Sequence, residues 1–229
     1  RKLASELIEM AVSGEEARSD NRLARRRIQP FRQSRVVSIP RAIALKKLAL
    51  LSPEYALPML EEALTDDVLE VQLAAIWGLG RIRKPRAYYL LLEQLEASFR
   101  SDRLFPPAFV ISSLGSMKIE DLDCALPLLR AGQPQARQAS VRMAAQICRR
   151  QDKESYVSRN DFSRDAYELF AGDLASDEDP EIRGGSAKVV GYFRDQRALE
   201  TLARLIQDPD PEVRIFALSA STDPVYREL

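Results

Sequence analysis

The chain has 229 residues, 45% of them apolar, enough to bury a substantial core. Its 34 basic and 34 acidic residues balance, which argues against a dedicated nucleic-acid binder. Histidine is absent, so serine–histidine and cysteine–histidine catalysis and every histidine-containing metal site are excluded from these residues.

The chain starts at Arg1 rather than Met, and we read it as part of a longer protein. Residues 1–37 form a basic lead-in. Within it, Lys2–Val12 fits a short amphipathic helix, with Leu3, Leu7, Ile8 and Ala11 on one face. From Arg22 to Lys47 there are nine basic residues and no acidic one, including Arg25, Arg26, Arg27, Arg32 and Arg35. Three readings stand side by side. The stretch is a solvated or capping segment, a contact for an anionic membrane surface on the cytoplasmic side, or a site for nucleic-acid phosphates. Phe31 is its one aromatic residue, too few to stack single-stranded bases.

From residue 38 onward a repeat governs the pattern. Asp177–Arg183 and Asp208–Arg214 are nearly identical stretches 31 residues apart, and a period in this range marks stacked helical hairpins. With Val213 as position zero, Arg214 stands at +1, Ala217 at +4 and Leu218 at +5. The same frame fits starts near 40, 71, 106, 136, 182 and 213. Position +9 is small in Ala49, Gly80, Gly115, Ala145 and Gly191, which would let the two helices of a hairpin approach closely. Second helices follow, as in Ala56-Leu57-x-x-Leu60 and Ala198-Leu199-x-x-Leu202, with their apolar residues on one face. Asp210 and Asp179 are expected to cap helices that open with Pro211 and Pro180, with Gln133-Pro134 and Asp67 as looser versions.

These motifs resemble HEAT repeats, most closely the short variety found in phycobilisome lyases. The resemblance rests on Asp-Pro-Glu-Val-Arg, the Ala-Leu after it and the Ala-Leu-x-x-Leu of the second helix, over about residues 38–221. It implies an all-α fold, a right-handed α-solenoid of about six helical hairpins. It also implies that Arg41, Arg137, Arg183 and Arg214 pair with aspartates as structural links between turns and hairpins. HEAT-like hydroxylases that hold iron through His-Glu pairs are excluded, because the chain has no histidine.

Four departures from the rhythm carry the functional expectations. The first is the basic lead-in. The second is an insertion at about 149–162, with Tyr156 and Phe162, where the spacing stretches to 46 residues. The third is an apolar strip of Met59, Leu90 and Leu128, with Tyr89 and Leu92 nearby, at a second-helix position that is polar in the fifth repeat (Thr201). It is either an exposed partner site on a concave face or packing between neighbouring second helices. The fourth is Trp77, in a +6 column otherwise filled by Lys46, Ser112, Arg142, Lys188 and Ser219. Cys124 and Cys148 sit in apolar helical patterns without a CxxC motif, which fits buried thiols in a reducing, cytoplasmic compartment.

The leading expectation is therefore a non-enzymatic scaffold that binds a protein partner, with no cofactor. Two alternatives follow from the resemblance: a chromophore held in the groove, as in phycobilin lyases, and nucleic acid on the concave surface. Glu61, Glu62 and Glu93 on the second helices would repel phosphate and weigh against the latter.

Overall fold

The computed structural model describes residues 30–99, 105–222 and 224–227. The fold is an all-α solenoid of helical hairpins. The chain divides into two compact units, residues 1–114 and 115–229. The first contains α1 (Pro30–Leu51), α2 (Pro53–Ala63), α3 (Leu69–Ile82), α4 (Pro85–Ala97) and α5 (Pro107–Leu114). The second contains α6 (Leu126–Ala131), α7 (Pro134–Glu154), α8 (Arg164–Glu168), α9 (Pro180–Val190), α10 (Gln196–Leu205) and α11 (Pro211–Ser221). Leu45, Leu48, Leu60, Ile76, Leu79 and Leu95 fill the core of the first unit, and Val141, Phe170, Val189, Phe193 and Leu202 that of the second. The hairpin expected from residue 106 is divided between the units. α1 begins at Pro30 and runs through Pro40.

Helix starts follow the sequence closely where aspartate is available. Asp179 accepts from the Glu181 amide at 2.9 Å, and Asp210 from those of Glu212 and Val213 at 2.8 and 3.3 Å. These bonds satisfy donors that a helix leaves orphaned. Gln133 supplies no side-chain cap. At α3 the cap position is Val68, and Asp66, not Asp67, accepts from its amide at 2.9 Å.

Successive first helices are locked by a ladder. The residue at +1 of one repeat meets the aspartate five residues before position zero of the next. Arg41 donates to Asp66 at 2.6 Å, Arg137 to Asp177, and Arg183 to Asp208 through two bonds of 2.7 and 2.8 Å. Each aspartate also ties its own turn, Asp177 through the Asp179 amide and Asp208 through the Asp210 amide. Arg183 grips its own loop as well, at the Asp177 and Glu178 carbonyls, and Arg214 does the same at Asp208 and Pro209. In the third repeat position +1 is Pro107, and the fourth repeat has Ala131 in the aspartate position, so both columns lapse together.

The small +9 residues serve this same stacking rather than the hairpin interior. A Cβ on Gly80 would lie 2.5 Å from the Ser113 carbonyl oxygen on α5, and one on Gly191 would lie 2.8 Å from Ala220 on α11. Both neighbours belong to the next first helix.

The stretch at 149–162 is not a structureless loop. Residues 149–154 continue α7, and the rest forms an ordered connection in which Val157 and Phe162 are buried. Arg194 fastens it, bonding Asp152 at 2.7 Å and the Val157 carbonyl. Phe162 packs edge-on against Phe193 at 4.6 Å. The second helix of this repeat changes pitch after α8, through a π turn at Leu169–Asp173 and a 3-10 turn at Leu174–Ser176. Ser186 bonds the Phe170 carbonyl at 2.5 Å and Thr201 the Ala171 carbonyl at 3.4 Å, so both carbonyls keep partners.

Candidate interaction surfaces

The apolar strip does not form an exposed site. Leu90 is 4% exposed, Leu92 5% and Leu128 8%, so all three belong to the interior. Thr201, at the equivalent position, is buried too and reaches the second helix of the preceding repeat. The burial of these leucines corrects the exposed partner-site reading for them. Met59 is half-buried, and Tyr89 alone of the group is largely exposed. Trp77 is half-buried on the outward side of α3, with Lys46 Nζ 5.7 Å and the Arg81 guanidinium 5.0 Å from its ring centroid. Arg25, Arg26 and Arg27 lie outside the described residues. Arg32 and Arg35 fall in the first turns of α1, and their side chains are likewise outside the description.

A recess in the second unit lies along its first helices, not its second ones. It is a groove of about 930 Å³ running across α7, α9 and α11. Its floor is made by the small columns: Ala145, Gly185, Gly191 and Ala220. Its walls are long outward residues, chiefly Arg142, Arg149, Lys188 and Tyr192. Sequence reading missed this recess: Arg142 and Lys188 at +6 stand beside small Ala145 and Gly191 at +9, a pairing that Lys46 and Ala49 also show outside it.

The electrostatics of the groove are balanced, with four basic and four acidic lining residues. Arg142 pairs with Glu181 at 2.6 Å, and Arg194 with Asp152 at 2.7 Å, which holds the Asp152 carboxyl below its ordinary range. Lys188 Nζ sits 3.4 Å from the centroid of the Phe216 ring. Burial, and then the charge of Arg142, lowers its pKa. Arg149 is exposed and enters no ion pair among the described residues. The groove therefore offers a cation and an aromatic edge at Tyr192 above a floor with little side-chain bulk. Cys124 and Cys148 are buried elsewhere, and burial pushes the Cys148 thiol far up in pKa, which makes it inert. Among the described residues no cluster could hold a metal ion, and no helix is long and apolar enough to cross a membrane.

A family comparison agrees with this architecture. A family model of HEAT repeats matches residues 38–104 and 170–222, together just over half of the chain. No curated protein matches it. Among solved structures it is similar to a designed armadillo repeat protein, at 15% identity and TM-score 0.43, covering 84% of this chain and 94% of that one. It is also similar to human deoxyhypusine hydroxylase in complex with glycerol, at 17% identity and TM-score 0.41, covering 87% and 82%. An engineered protein solved as a structural-genomics target matches at 18% identity and TM-score 0.41, covering 80% and 89%. On its arginine–aspartate ladder, its capped first helices and the family match, the chain belongs to the HEAT-repeat family.

Proposed function

We propose that this chain is a non-enzymatic interaction module that holds an extended protein segment in the α7–α9–α11 groove. The observation that carries the reading is the groove itself. Three first helices present small residues between long polar ones, and Arg149, at the rim, enters no ion pair among the described residues. A floor of Ala145, Gly191 and Ala220 suits apolar side chains of a ligand, and the mixed rim suits a polypeptide of mixed charge better than a polyanion. The histidine-free sequence supports a binding role over catalysis.

The test is selection of peptides from a displayed random library on the full chain, followed by affinity measurement. Selected peptides should combine an acidic residue with apolar ones. They should bind Arg149→Glu and Ala145→Arg at least about tenfold more weakly, a loss of roughly 1.4 kcal/mol. Peptides that bind both folded variants as tightly as the parent would place recognition elsewhere.

A further inference from the structure

The outer side of α1 carries three large exposed aliphatic residues, against two, Ile215 and Leu218, on α11. Ile39, Ile43 and Leu50 are 54%, 46% and 60% exposed. With Lys46 and Lys47, also exposed, they occupy an arc of about 100° on the helix. The opposite side, with Leu45, Leu48 and Ala49, is fully buried. Scattered exposed aliphatics need no explanation, but three on one arc do. The arc has a definite chemistry. α1 contains no acidic residue at all, within a chain whose total charge is zero, so the cationic excess is local. Trp77, the chain's single tryptophan, adjoins the arc through its contact with Lys46.

Aliphatic residues flanked by lysines, with an indole at the margin, match what an anionic lipid–water interface rewards. The aliphatics enter the headgroup boundary, the lysines face lipid phosphates, and tryptophan prefers the interface. Nucleic acid would use the lysines but gain nothing from three exposed aliphatics. We propose that this face of α1, with Trp77 beside it, docks on an anionic phospholipid surface. The proposal is independent of the peptide groove, which lies in the other unit.

The experiment is sedimentation of the full chain with phosphatidylcholine vesicles, with and without about 30% phosphatidylglycerol, at about 50 mM and 300 mM salt. Binding should require the anionic lipid and weaken at the higher salt, and Trp77 emission should shift to the blue on binding. Ile43→Asp and the double variant Lys46→Glu/Lys47→Glu should each bind at least about tenfold more weakly while keeping the parent's helical circular dichroism. Both substitutions fall on exposed positions. Four outcomes would overturn the proposal. The first is no binding to anionic vesicles at low salt. The second is undiminished binding by Ile43→Asp with loss on Arg25/Arg26/Arg27→Ser, which moves the contact to the upstream basic run. The third is equal displacement of Ile43→Asp and parent by duplex DNA. The fourth is a dimer abolished by Ile43→Asp, which would make the face a contact between two copies.

Discussion

Arg183 has the look of a binding residue and the environment of a structural one. Its guanidinium meets both oxygens of Asp208 and two backbone carbonyls of its own loop, so four of its five donors are already engaged. Breaking such a largely buried pair strands the other charge, and Arg183→Ala should cost about 3 kcal/mol in denaturant unfolding. The pair also makes a pH prediction. Arg183 holds the Asp208 carboxyl below its ordinary range, as Arg194 does for Asp152. A depressed folded pKa contributes stability that is complete above the unfolded value of about 4 and is lost as pH falls through the folded one. Asp208→Asn should therefore melt below the parent at neutral pH, and the two curves should converge in acid; a constant gap down to about pH 2 would contradict the linkage. Backbone strain separates two further arginines. Arg83 and Arg194 both stand at +12 with left-handed φ of 51° and 54°, where a non-glycine residue is disfavoured. Arg83 ends α3 at the surface, so Arg83→Gly should raise stability by about 0.5–1 kcal/mol. Arg194 also carries the Asp152 pair, so Arg194→Gly should lower stability despite the same relief, and thermal unfolding of the two variants separates these effects.

At the scale of elements, contact between successive first helices organises each unit. Gly80 needs its missing Cβ because a backbone oxygen stands where it would go, and Gly80→Ala should destabilise by about 1–3 kcal/mol. Gly172 in the π turn has open space around it, so Gly172→Ala should stabilise by about 0.5–1 kcal/mol; equal effects in chemical denaturation would contradict this account of the small columns. The +9 column was legible as a column, but its partner was not, because sequence spacing places a residue on a face without saying which neighbour covers it. The aspartate caps at 179 and 210 were legible to the residue, since a short acceptor before a proline has few other uses. A second helix was expected in the fourth repeat too, but its course was not legible, because a π turn breaks the 3.6-residue period that identifies a helix. The extra length near 149–162 read as an insertion, although α7 absorbs its first part.

At the scale of the molecule, repetition made the family readable and concealed the site. The strip through Leu90 and Leu128 broke the sequence rhythm and still turned out to be core, since apolar residues at a stacking position are what stacking requires. The groove in the second unit breaks no rule at any single position. It arises from three helices presenting their small and long columns side by side, a property of the arrangement that no one repeat encodes. The most direct test of the proposed function is amide chemical-shift mapping of the isotope-labelled chain with a library-selected peptide. The account predicts the largest shifts over 142–149, 188–192 and 219–222, on α7, α9, α11 and the turn after α9. Shifts concentrated on the second helices α4 and α10, with those three segments unmoved, would contradict it.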